Sequence, residues 1–180
     1  FHNDIVSLSN ENIFIAHEKA FEDRNALNQI IRILENNVSN FQFIEIKENE
    51  IPLIDIIKSY LLNSQLVSTT DGEMLMVLPA DVRNFDNCMQ WIDKLKQISP
   101  VKKFEFVDIK QSMMNGGGPA CLRLKVLMNN KELEGVNKNF ILDDNKVEQI
   151  KHLIQSFYRD RILPDDLKDP DLLDEFQMIL

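Results

Sequence analysis

The feature that most constrains the fold is an order of elements that occurs twice: two strands, a helix and a third strand, at an offset of roughly sixty residues. In the first copy, Asp4-Ile-Val-Ser-Leu8 and Ile13-Phe-Ile-Ala16 flank the turn-forming Asn10-Glu-Asn12 and predict a hairpin. Ala20, Leu27, Ile30, Ile31 and Leu34 fall at helical spacing between Glu18 and Asn36, and Phe41 to Ile46 alternates as a closing strand. The second copy follows Pro52 and a short helical stretch, Leu53 to Lys58. Here Tyr60 to Ser68 and Met74 to Leu78 flank Asp71-Gly72, and a helix opened by Pro79-Ala-Asp81 carries Cys88, Trp91, Ile92 and Leu95 on one face. Lys103 to Ile109 closes it. Each copy buries a sheet face beneath its helix, which predicts α/β modules laid side by side around a shared core.

A third stretch opens with Asn115-Gly-Gly-Gly-Pro-Ala120 and a strand from Cys121 to Met128, then gives helices over Asp144 to Arg161 and Asp169 to Leu180. The expected organisation is one domain with modules at about 1–48, 52–110 and 111–180, the third departing from the ββαβ pattern into helices, so that two and a half modules make a partial array. At 180 residues and 44% hydrophobic there is chain enough for one core of ordinary size.

Composition excludes several function classes. Acidic residues number 29 against 20 basic, a net charge of −9, and the basic ones form no stripe that would track phosphates, so nucleic-acid binding is not expected. The longest apolar stretches, Ile54 to Leu62 and Leu122 to Met128, are too short and too interrupted to span a bilayer. No basic segment followed by an apolar run opens the chain, which starts at Phe1, so the expectation is a cut chain and not an exported one. Two cysteines, Cys88 and Cys121, make no disulfide scaffold and suit a reducing cytoplasm.

Few residues here have the chemistry to carry a reaction. Cys121 follows three glycines, whose unencumbered backbone can present amide donors beside a thiol. Such a thiol is a nucleophile where a base or positive charge activates it; the alternative is a small buried residue on an alternating strand, and spacing does not decide between them. His2, at the head of the first strand, is open to the same two readings, and His17 and His152 read as satisfied or solvated positions. No metal-ligand spacing is present, and the glycines lack both the Lys-Ser/Thr of a P-loop and a dinucleotide fingerprint, so neither a metal nor a cofactor is expected.

Phe1-His2-Asn3-Asp4, Tyr60-Leu-Leu-Asn-Ser-Gln-Leu66 and above all Gln111-Ser-Met-Met-Asn-Gly-Gly-Gly-Pro-Ala-Cys-Leu-Arg-Leu124 resemble the N-succinylarginine dihydrolases. The likeness continues through Val136-Asn137 and Tyr158-Arg-Asp-Arg161. That family belongs to the penteins, guanidino-modifying proteins whose ββαβ modules form an α/β propeller. The resemblance implies the C-terminal part of such a propeller, with the N-terminal modules absent.

It also implies a bacterial, cytoplasmic and homodimeric enzyme that hydrolyses N2-succinylarginine to N2-succinylornithine, carbon dioxide and two ammonia molecules. By the resemblance, Cys121 is the nucleophile, His2 the acid/base, and Asp4 and Asn115 bind substrate. The family's third catalytic residue, a glutamate, lies upstream of its histidine, which gives the expectation that these 180 residues alone are inactive. Two other readings stay open: a non-catalytic binding module on the same fold, and a deiminase or amidinotransferase.

Overall fold

The computed structural model describes residues 3–114, 117–122, 126 and 128–179. The chain divides into two compact units, Phe1–Lys125 and Val126–Leu180.

The first unit contains both expected ββαβ modules. Strands β1 (Ser7–Asn10) and β2 (Ile13–His17) form an antiparallel hairpin with Leu8 opposite Ile15, helix α1 (Arg24–Asn37) crosses over, and β3 (Gln42–Ile46) returns parallel to β2. Helix α1 begins later than Glu18, where periodicity alone would start it. The amides that would open it are already engaged: Glu18 N–H donates to Ile46 O, Lys19 N–H to His17 Nδ1, and Ala20 N–H to His17 O. Asp23 then caps the helix by accepting from the amides of Asn25 and Ala26.

The second module repeats this topology. Helix α2 (Leu53–Ser59) follows Pro52; β4 (Gln65–Ser68) and β5 (Met74–Pro79) pair antiparallel; α3 (Asp86–Ile98) crosses over; and β6 (Val101–Val107) runs parallel to β5. Residues 60–64 are not strand, contrary to the expectation of a strand from Tyr60 to Ser68. Tyr60 ends α2 in the left-handed region at φ 56°, and the chain turns before entering β4. Gly72, at φ 82°, supplies the hairpin turn that Asp71-Gly72 predicts.

One hydrophobic core serves both sheets. It joins Leu8, Ile13, Ile15, Ile44 and Ile46 of the first module to Leu66, Met74, Met76, Leu78, Trp91 and Leu95 of the second. Losing one large aliphatic side chain from such a core costs about 2–5 kcal/mol. The sheets meet where β1 approaches β4: Asn10 Nδ2 donates to Ser68 Oγ at 2.9 Å, and Ser68 Oγ donates to Glu11 Oε1 at 2.6 Å.

Beyond β6, α4 (Lys110–Met114) leads to a single 3-10 turn at Pro119–Leu122. The strand expected from Cys121 to Met128 is therefore corrected at its start, where Cys121 and Leu122 are in that turn; residues 123–125 and 127 lie outside the described residues. A strand pattern specifies a strand only where a sheet edge receives it, and here Cys121 N–H bonds to Gly118 O and closes a turn.

The second unit comprises α5 (Asn130–Glu134), α6 (Asp144–Phe157) and α7 (Pro170–Ile179) with two 3-10 turns. Its apolar side chains are largely exposed, Leu172 excepted. Arg159 ties its elements together, donating to Glu175 Oε1 and Oε2 at 2.8 and 2.7 Å and to Asp169 Oδ2 at 2.8 Å. No helix among the described residues is long and apolar enough to cross a membrane.

Candidate active site

The first unit anchors two separate pieces of chain on one segment, residues 60–65. One piece is the head of β1, where Asn3–Ile5 forms a 3-10 turn and Ser7 Oγ donates to Asn3 O at 2.8 Å. Asp4 sits in this turn, half-buried, and its backbone carbonyl accepts from Asn63 Nδ2 at 3.4 Å. Its Oδ1 is buried with no hydrogen-bond partner among the described residues. A buried carboxylate oxygen left in that state costs free energy, and a planar cation with paired N–H donors would satisfy it.

The other piece is the glycine loop. Gly117 N–H donates to Ser112 O at 2.9 Å, Gln65 Nε2 donates to Pro119 O at 2.9 Å, and Cys121 N–H donates to Gly118 O at 3.0 Å. Gly118 packs directly on Asn63 and Tyr60: a Cβ there would overlap Asn63 Oδ1 and stand 2.9 Å from Asn63 Cγ and 3.1 Å from Tyr60 Cδ1. Only glycine lets the loop approach this closely. The amides of Gly117 and Cys121 are spent on Ser112 O and Gly118 O, so those two donors are not offered to a ligand, and Gly118 serves close packing.

Cys121 is exposed at the end of this loop, in a 3-10 turn and not buried on a strand. The structure thus places two of the sequence-predicted residues, Asp4 and Cys121, on pieces of chain held by the same segment. His2 and Asn115 lie outside the described residues. Sequence reasoning missed Asn63, 1% exposed, and Gln65 as the residues that hold these pieces. The available signal was three polar residues, Asn63-Ser64-Gln65, inside an apolar run.

The remaining candidates resolve as structural groups. Cys88 is buried; desolvation pushes its thiol up to about 11, against a smaller opposing effect of the hydrogen bond to Ser59 Oγ at 3.6 Å. Such a thiol is inert near neutrality. His17 is fully buried and satisfied: Nδ1 accepts from Lys19 N–H at 3.1 Å, which leaves Nε2–H to donate to Ile51 O at 3.1 Å. His152 lies on an exposed helix and shares a hydrogen bond with Ser156 Oγ. Among the described residues no cluster of three His, Cys, Asp or Glu is placed to hold a metal ion.

Comparison with known proteins gives a match to the family model for succinylarginine dihydrolase over residues 1–180. The chain belongs to the succinylarginine dihydrolase family. It is similar to the N-succinylarginine dihydrolase of Idiomarina loihiensis, 37% identical over 100% of this chain and 40% of the relative. It is 39% identical to that of Pseudoalteromonas atlantica over 100% of this chain and 40% of the relative. The protein of the same name from Pseudoalteromonas translucida is 41% identical over 97% of this chain and 39% of the relative. The chain thus spans about two fifths of the length of these curated dihydrolases. The family is the one that the Asn-Gly-Gly-Gly-Pro-Ala-Cys stretch implied.

Proposed function

We propose that this chain is the nucleophile-bearing, C-terminal part of a dihydrolase that removes both terminal nitrogens of N2-succinylarginine, within a pentein-type propeller whose other modules lie in the rest of the family's length. The observation that carries the reading is the buried Oδ1 of Asp4, which has no hydrogen-bond partner among the described residues, on a turn held by the same segment as the loop that presents Cys121. Membership of the succinylarginine dihydrolase family supports it.

In the proposed mechanism Asp4 accepts charge-assisted hydrogen bonds from the guanidinium and fixes the orientation of its plane. The Cys121 thiolate attacks the guanidino carbon, and the C–N bond to one terminal nitrogen breaks as His2 protonates the leaving ammonia. His2 then takes a proton from water, which attacks the thiouronium carbon and expels the thiolate. A second round removes the second nitrogen and leaves a carbamate on the ornithine side-chain nitrogen; the remaining C–N bond then breaks as carbon dioxide departs and the nitrogen takes up a proton, so two waters are consumed and N2-succinylornithine, carbon dioxide and two ammonia molecules are formed. Asn115 contributes a side-chain amide to substrate binding. Catalysis further needs a glutamate and other binding groups supplied by the rest of the family's length.

Ammonia released per N2-succinylarginine consumed tests the reading, in this chain and in a full-length relative, each with and without the cysteine changed to serine. Two ammonia per substrate in the full-length protein, silence of its serine variant and silence of the chain alone are the expected results. One ammonia per substrate points to a deiminase, and an inactive full-length protein removes the guanidino-hydrolase reading.

A further inference from the structure

The segment between α2 and β4 makes two contacts that its place in the core does not require. Tyr60 ends α2 in the left-handed region at φ 56°, as the last residue of a helix often does, and turns the chain towards Asn63. Asn63, 1% exposed, spends its amide N–H on the backbone of Asp4, 59 residues away. Gln65 reaches the carbonyl of Pro119, 54 residues away. Together Tyr60 and Asn63 form the surface on which Gly118 rests. A turn made only to connect a helix to a strand needs none of these contacts.

We propose that Asn63 is a positioning residue for the reaction, setting the distance between the Asp4 turn and the Gly118–Cys121 loop by holding one with its amide and receiving the other on its side-chain face. The proposal rests on the guanidino-hydrolase reading above. It assigns Tyr60 the role of orienting Asn63, and Gln65 that of a second tie to the loop. In this role Asn63 and Gln65 act through the pieces of chain they hold. Their effect is on geometry, and a displacement of about 1 Å at an enzyme's reacting groups costs about 10²-fold in rate.

The test uses a full-length family member carrying substitutions at the positions of Asn63 and Gly118, with active sites counted by thiol titration, and the same variants of this chain. With Asn63→Ala the expected result is a fall of about 10²-fold in kcat per titrated thiol, with KM for N2-succinylarginine raised because Asp4 is released as well. In the chain itself, the amide protons of Val6 and Cys121 should both exchange faster in Asn63→Ala while that of Ile15 is unchanged. Gly118→Ala should lower stability through its clash with Asn63. The double variant should recover the part of that stability lost to the clash with Asn63, with the Tyr60 ring still close, yet keep the low kcat.

An unchanged kcat per thiol in Asn63→Ala, with fewer titratable sites, reduces Asn63 to a purely structural residue and overturns the proposal. So does recovery of kcat in the double variant. Absence of ammonia release by the unsubstituted full-length protein is a different failure, that of the guanidino-hydrolase reading.

Discussion

Gly118 lies so close to Asn63 that a Cβ on it would stand 2.9 Å from Asn63 Cγ, and 3.1 Å from Tyr60 Cδ1. Asn63 is buried and tied to Asp4 O, so it cannot swing away without releasing that carbonyl. Gly118→Ala is therefore expected to cost about 1–3 kcal/mol, the usual range for overpacking a close contact. Trp91, buried in the core of the same unit and the only tryptophan in the chain, reports it by fluorescence during denaturant unfolding. A midpoint equal to that of the unsubstituted chain would show that the loop stands off from Asn63.

The two cysteines should differ sharply towards iodoacetamide. Burial raises Cys88 to about 11, so at about pH 8 it is protonated as well as shielded, whereas Cys121 is exposed. Native-state alkylation at that pH should place one carbamidomethyl group, on Cys121, and unfolding in urea should expose the second. Mass spectrometry of the digested protein decides this, and early labelling of Cys88 would contradict its place in the core.

The parts of this structure that were legible in the sequence are those set by short-range periodicity. Ile13 and Ile15 are buried and flank the less buried Phe14, and Met74, Met76 and Leu78 alternate in the same way, so both hairpins follow from side-chain alternation. Where a local pattern competes with a specific bond, the bond wins. The turn at His17–Ala20 delays α1, the left-handed Tyr60 removes residues 60–64 from β4, and the Cys121 to Gly118 bond curls the start of a predicted strand. The exposed position of Cys121 and the anchoring role of Asn63 were not legible, because both depend on contacts between segments more than fifty residues apart. Asp4, by contrast, stands out in the sequence only through resemblance, and that its Oδ1 is buried with no hydrogen-bond partner among the described residues is visible only in the fold.

Acid should weaken the first unit through Glu45 and Glu50. Burial raises Glu45, but hydrogen bonds and ion pairs from Lys47 and Arg24 together outweigh it and hold the carboxyl below the ordinary glutamate value of 4.5. Glu50 is held down in the same way, with burial opposed chiefly by Lys94 and the Lys47 amide. A carboxylate depressed in the folded state contributes stability that is present above its unfolded pKa and disappears as pH falls through the folded one. Glu45→Gln and Glu50→Gln should each lower the stability read from Trp91 unfolding at about pH 6, by under about 1 kcal/mol, and the deficit should shrink at about pH 4, below the ordinary glutamate value. Equal deficits at both pH values would assign the loss to packing and not to charge.

The second unit should depend on the shape of Arg159 as well as its charge. With Leu172 the one described side chain there that is buried, little apolar area holds α6 and α7 together. Arg159 follows α6 and reaches both oxygens of Glu175 on α7, using Nε and Nη2, while Nη2 also meets Asp169 just before that helix. The hydrogen bonds it donates to Glu175, then to Asp169, drive the guanidinium further up, and both carboxylates are lowered in turn. A lysine keeps the positive charge but offers a point donor on a flexible stem, unable to span both oxygens of Glu175 and the Asp169 carboxylate at once. If geometry is what holds α7, Arg159→Lys and Arg159→Ala should speed amide exchange along α7 to a similar extent and leave α3 unaffected. If charge alone suffices, the lysine variant should exchange like the unsubstituted chain and only the alanine variant should open.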